Sequence, residues 1–236
     1  MEDIIKAFFT SFAGLLLILL PISNPIGMAP NFLFYTEAIH NESRRIVAKK
    51  VALLSFSFSV GILIAGPPLL RFFGIDVSFI RISGGLLLAI SGWQILSSEG
   101  NSSSNYSDKN KDAHKKIKTL KDRIFFPIVF PVTVGSGSVA IIITMATDYF
   151  HGSFKAYIMV ASYIGGAAAL FVNAFLFYIC YKYSREIFSH VGKTGTIVIC
   201  KISAFILIAI GLQVAWGGFY NVIIELFKVL KSANLL

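Results

Sequence analysis

Six apolar runs take up most of the chain, and they leave a single long polar stretch between them. They are Ile4 to Ala38, Val47 to Phe73, Val77 to Leu96, Ile124 to Tyr149, Ala156 to Tyr181 and Thr196 to Phe227. A helix needs about 20 apolar residues to cross about 30 Å of hydrocarbon, and each run is long enough. Charged residues make up only 14% of the chain, against about 25% in a soluble domain, whose surface must meet water. Mean hydropathy is +0.74. These features exclude a soluble enzyme and predict an all-α polytopic membrane protein with about six transmembrane helices.

The net charge of +9 would suggest nucleic acid in a soluble domain. Here the charge is confined to short stretches between apolar runs, where it reads as orientation and as contact with anionic lipid. The segments following runs one, three and five carry fifteen of the 21 Lys and Arg residues, including Arg44, Lys115 and Lys193. The opposite side carries six, among them Lys6, Arg71 and Lys228. The positive-inside rule makes the richer side cytoplasmic and leaves both termini outside. No nucleic-acid partner is expected. The first run is read as retained: Glu2 and Asp3 replace a basic leader, and no small-residue cleavage site follows. Cys180 and Cys200 have no metal-ligand spacing and read as packing residues.

The sequence repeats itself. At a constant offset of 110, Pro21-Ile22-Ser23-Asn24-Pro25-Ile26-Gly27 aligns with Pro131-Val132-Thr133-Val134-Gly135-Ser136-Gly137, matching Pro to Pro, Ser to Thr and Gly to Gly. The third and sixth runs correspond too, through Arg81-Ile82-Ser83 and Lys201-Ile202-Ser203, with Gln94 near the counterpart of Gln213. Three spans per copy is an odd number, so the second copy enters from the opposite face, the plan of many secondary transporters. The expected organisation is one membrane domain, 1–236, with a first repeat at 1–97, a polar cytoplasmic loop at 98–123 and a second repeat at 124–236.

The matching segments are poor helix formers. Pro21, Pro25, Gly27 and Pro30 cannot all lie in one regular helix, nor can Pro127, Pro131, Gly135 and Gly137. Pro21, Pro30, Pro127 and Pro131 are taken as the structural helix breaks. As one helix, Ile4 to Ala38 would be about 52 Å long at 1.5 Å per residue, more than the hydrocarbon requires. The run is either a broken span or a span followed by a re-entrant half-helix. Unwound backbone at membrane depth survives only where protein or a wet cavity solvates it, and ligand binding is the usual reason.

The twelve acidic residues lie near run ends or in loops, so no carboxylate is expected at mid-span. What remains there is hydroxyls, amides and backbone. Half-helices beginning near Gly27 and Gly137 would aim positive dipole ends inward, suited to a carboxylate. Half-helices ending near Pro21 and Pro131 would offer free carbonyls to an ammonium. A small zwitterion satisfies both. The predicted substrate-binding residues are Ser23, Asn24, Pro25, Gly27, Thr133, Gly135, Ser136 and Gly137, with Gln94, Asn173 and Gln213 as further cavity-lining candidates. No cofactor or metal is expected; a coupling ion, H+ or Na+, stays open. Membrane lipid is an expected partner, and a homo-oligomer stays open.

With those residues in view, the chain resembles the MarC family of integral membrane proteins, also called the six-span neutral amino acid transporter family. The resemblance rests on Asn24-Pro25-Ile26-Gly27 with Pro30 and Phe32, on Pro131 to Gly137, and on Gly84-Gly85-Leu86. The family's second break is typically Gly-Pro-Gly; this chain has Gly135-Ser136-Gly137. The resemblance implies a bacterial-type inner-membrane protein with both termini outside, moving small neutral amino acids such as glycine or alanine. Two other classes compete. In a non-transporting membrane component, small residues such as Gly165 and Gly166 serve helix packing. An intramembrane hydrolase would use Ser136 or Ser138, but the nearest histidine along the chain, His151, lies about 20 Å away on a helix. The expectation is therefore a protein that is not an enzyme.

Overall fold

The computed structural model describes residues 1–36, 41–97, 124–151 and 155–232. The polar loop 98–123 lies outside them, as do His40 and His114. All regular structure among the described residues is helical. Helix α1 spans Glu2–Ser23, with Glu2 and Asp3 in its first turn, where acidic groups complement the dipole. Helix α2 spans Pro25–Tyr35 and α3 spans Asn41–Phe72, with Pro67 and Pro68 inside it. Helix α4, Val77–Ser97, is capped by Asp76, whose Oδ1 accepts the Ser78 N–H at 2.6 Å. A ten-residue π-helical segment, π1, covers Ile124–Thr133. Three helices complete the chain: α5 at Ser136–His151, α6 at Ala156–Lys182 and α7 at Ser184–Ser232, bent at Gly192 (φ 66°).

Among the described residues five helices are long and apolar enough to cross a membrane: α1, α3, α4, α6 and the part of α7 from Thr194 to Lys231. The fourth apolar run is divided between π1 and the shorter α5.

Glycine sets the closest packing. Helices α4 and α7 meet backbone to backbone. A Cβ on Gly211 would come within 2.6 Å of the Gly85 carbonyl oxygen, one on Gly92 within 2.7 Å of the Ala204 carbonyl, and one on Gly218 within 2.6 Å of the Ser78 carbonyl. Lipid tails are as apolar as leucine, so such close van der Waals contact is what drives helices together in a bilayer. Elsewhere α1 packs on α6, α3 on α5, α2 on α7 and α4 on α5. Exchanging residues 1–97 for 124–236 turns α1 on α6 into the π1/α5 segment on α3, turns α2 on α7 into α5 on α4, and leaves α4 on α7 unchanged.

Two apolar clusters form the interior. One joins Leu15 and Leu19 of α1 to Leu63, Leu88, Ile142 and Leu170. The other joins Phe32 of α2 and Ile128 of π1 to Val47, Val51, Phe177 and Tyr181. The first cluster therefore takes the chain before the first break and after the second; the other takes the chain after the first break and before the second. The breaks lie between them.

The chain's course past the first break settles the choice between broken span and re-entrant segment. Phe8 of α1 lies against Gly165, and Ser23 bonds to Asn173. Phe32 of α2 stacks on Tyr181 at 4.2 Å between ring centroids. The partners advance steadily along α6, so α2 continues the direction of α1. The first run is a broken span. Its far end is fastened by Arg44, only 5% exposed, which donates from Nε to Thr36 Oγ1 at 3.2 Å and from Nη2 to the Thr36 carbonyl at 3.0 Å.

The prolines do not make the breaks where the sequence placed them. Pro21 lies inside α1, Pro30 inside α2, and Pro127 and Pro131 inside π1. In π1 the two prolines remove donors that α-helical pairing would use, and the ladder shifts by one residue. The Val134 N–H bonds to the Val129 carbonyl, five residues back, at 2.8 Å. The prolines there widen a helix without ending it.

Candidate functional site

The first break is one residue wide. Asn24 takes left-handed dihedrals (φ 40°, ψ 65°) and ends α1, its N–H bonding to the Leu20 carbonyl. Its Oδ1 then accepts the Gly27 N–H at 3.0 Å, and its carbonyl accepts the Met28 N–H at 3.0 Å. Asn24 is thus both the end of one helix and the N-cap of the next. Asparagine suits the position because its short amide tolerates left-handed dihedrals and supplies the cap oxygen. Pro25 follows as the first helical residue, where its missing N–H is not required. That missing donor leaves the Pro21 carbonyl without its helical partner. A Cβ on Gly27 would collide with the Asn24 side chain, so glycine is needed there.

This arrangement predicts an order of stability. Asn24→Ala loses the cap, worth about 1 kcal/mol, and also the short polar side chain whose local hydrogen bonding offsets the cost, about 1–2 kcal/mol, of a β-carbon in the left-handed region. Asn24→Gly loses the cap and keeps the dihedrals freely. Thermal unfolding of the purified variants should rank Asn24 above Gly and Gly above Ala. An Ala variant as stable as the parent would contradict the double role.

The second break is the non-helical pair Val134–Gly135. π1 ends at Thr133, whose hydroxyl donates to the Ile128 carbonyl at 2.7 Å and pairs with the Tyr181 hydroxyl at 2.9 Å. α5 starts at Ser136, so Gly137 sits in its first turn. The half-helices begin at Pro25 and Ser136, slightly ahead of the expected Gly27 and Gly137, and their predecessors end at Ser23 and Thr133, two residues beyond Pro21 and Pro131. The caps decide this: Asn24 is where the backbone reverses sign, and the prolines are accommodated in helix.

The two breaks adjoin. A Cβ on Gly137 would lie 3.8 Å from Ile22 Cγ2, in the last turn of α1, and against the Leu88 side chain near the middle of α4. Four helix ends converge there: the carbonyl ends of α1 and π1 and the N–H ends of α2 and α5. No charged residue occurs in Ala7–Ser23, Pro25–Tyr35, Ile124–Thr133 or Ser136–Thr147. These four segments contribute backbone dipoles and no side-chain charge, and such dipoles act most strongly where water is scarce.

The family can now be assigned, because the matched region takes in both breaks and the helices that hold them. The model of the MarC family of integral membrane proteins matches residues 8–223. The chain belongs to the MarC family. It is 28% identical over 214 residues to "UPF0056 membrane protein YvbG" of Bacillus subtilis, covering 91% of this chain and 94% of the relative. It is 29% identical over 225 residues to "UPF0056 inner membrane protein MarC" of Salmonella typhimurium, covering 94% and 98% respectively. No solved structure matches the chain. As a MarC-family chain it is an integral membrane protein.

Among the residues singled out from sequence, Ser23, Asn24, Pro25, Gly27, Thr133, Gly135, Ser136 and Gly137 all fall at the two breaks, but not all are free to act. Ser23 is buried and donates to Asn173 Oδ1 at 2.9 Å. Thr133 is committed to Ile128 and Tyr181. The two hydroxyls paired by the 110-residue offset are therefore both anchored on α6. Ser136 is exposed, and Asn24 Nδ2 has no hydrogen bond among the described residues. Asn173 does reach the first break. Gln94 and Gln213 are exposed, on α4 and α7, and the side chain of neither hydrogen-bonds to a break residue among the described residues. Tyr181 was not anticipated as a site residue. In sequence it is one more aromatic at the end of an apolar run, and only folding sets it beside Thr133.

Proposed function

We propose that this MarC-family protein is a secondary transporter that moves small neutral amino acids, of the glycine and alanine type, across the bacterial inner membrane. The substrate is held where the two breaks meet. One observation carries the reading: four uncharged helix ends converge between two apolar clusters, with N–H and carbonyl ends both represented. The N–H ends of α2 and α5 suit a carboxylate, and the carbonyl ends of α1 and π1 suit an ammonium. A charged side chain on the substrate would find no counter-charge on these four helix ends and would lose its hydration. The symmetric set of helix pairings supports an inverted-repeat arrangement, the plan of carriers that alternate access around a central site. On this reading the protein is a carrier and not an enzyme, with both termini outside.

Ligand-induced stabilisation tests the substrate class. At about 100 times Kd, a ligand bound only to the native state adds about 2.7 kcal/mol. Glycine, alanine and serine should raise the unfolding temperature of the purified protein in a saturable way, while aspartate and lysine should leave it unmoved. Equal shifts from the charged amino acids, or none from any, would refute the reading.

A further inference from the structure

The outward face of α7 carries a stripe that a lipid-facing helix has no use for. Ala209, Gln213, Gly217 and Asn221 recur at intervals of four. All are exposed except Gly217, which is half-buried, and a Cβ on Gly217 would meet nothing within 4 Å. The opposite face of the helix is already used: Ala204, Leu207, Gly211 and Ala215 pack inward on α4 or the core. Gln213 stands near the middle of the apolar stretch Thr194–Lys231, with no hydrogen bond among the described residues. Exposed hydroxyls on other spans, such as Ser83, bond back to their own helix. Gln94 stands three residues before the end of α4. Gln213 has neither outlet, and an unpartnered amide in hydrocarbon is unfavourable.

We propose that this stripe is the contact between two copies of the chain, a parallel two-fold dimer built on α7. A primary amide is both donor and acceptor. Copies inserted in the same orientation, related by an axis along the membrane normal, bring like residues opposite one another. Gln213 then pairs with Gln213 and Asn221 with Asn221, each satisfying itself. Small residues one turn to either side of Gln213 let the backbones approach, and spacing by four is the pattern of right-handed crossings at about −40°. From Ala209 to Asn221 the stripe runs about 18 Å, more than half of the hydrocarbon thickness. The inference does not depend on what the protein transports.

Oxidative cross-linking in membranes tests it. Gly217→Cys should give a disulfide-linked species at twice the 25.9 kDa monomer mass. The unmodified chain and Phe171→Cys, which exposes a cysteine on α6 instead, should not. Gln213→Leu should weaken dimerisation in lipid bilayers, read by single-molecule photobleaching, by about three- to thirtyfold, the range for interhelical hydrogen bonds. Cross-linking from Gly217 no greater than from Phe171 would overturn the proposal. So would a product of another mass, or a Gln213→Leu dimer as strong as the parent.

Discussion

Gly137→Leu is expected to abolish transport while leaving a folded protein. Gly137 lies in the first turn of α5, where a Cβ meets the Leu88 side chain, with Leu88 Cγ at 2.9 Å and Ile22 Cγ2 at 3.8 Å. Those neighbours are side-chain ends that can turn aside, and leucine favours a helix over glycine by about 0.8 kcal/mol. The fold can therefore absorb the change. The added isobutyl group, however, occupies the space where the N–H end of α5 faces the end of α1. One ill-fitting methylene changes recognition by about 10- to 200-fold, so a whole leucine should lower flux by more than about 100-fold. Gly137→Ala should retain partial flux. Parental flux from the leucine variant in reconstituted vesicles would place the site elsewhere.

Gly85→Leu should act differently, by preventing assembly. A Cβ at Gly85 would stand 2.9 Å from the Ala215 Cα, and one at Gly211 would stand 2.6 Å from the Gly85 carbonyl oxygen. The obstructing atoms are backbone, which cannot rotate away. Helices α4 and α7 would have to separate along their shared length, with a loss of about 3 kcal/mol or more, against a total stability of about 5–15 kcal/mol. The variant should be depleted from membranes and aggregate on size exclusion. Gly61→Leu is the matched control, because a Cβ there meets nothing within 4 Å. Equal yields of both variants would contradict the account of α4–α7 packing.

The segments that matter were legible because membrane helices leave few places for proline, glycine and amides. Two clusters at a fixed offset marked both breaks, and continuous apolar runs marked the spans. The position of each break within its cluster was not legible. A proline is conspicuous, yet Pro21 and Pro131 sit inside helical segments, because one missing N–H can be absorbed by neighbouring carbonyls or by a π register. The turning residue is Asn24, whose role depends on a left-handed backbone and a cap oxygen together. Contacts between distant segments were equally hidden. Ser23 with Asn173 and Thr133 with Tyr181 are 150 and 48 residues apart, and nothing local marks α6 as the helix that anchors both breaks. The glutamines show the converse. Polar residues in apolar runs suggested a cavity, but Gln94 and Gln213 are exposed.

The proposed function makes the meeting point of the two helix breaks a site for small zwitterions, and flux measures that claim most directly. Purified protein reconstituted into vesicles should move radiolabelled glycine and alanine faster than empty vesicles, under a proton or a sodium gradient. Excess unlabelled neutral amino acid should compete, and aspartate or lysine should not. Flux indistinguishable from empty vesicles across a broad amino acid panel, from protein shown to be folded, would contradict the account.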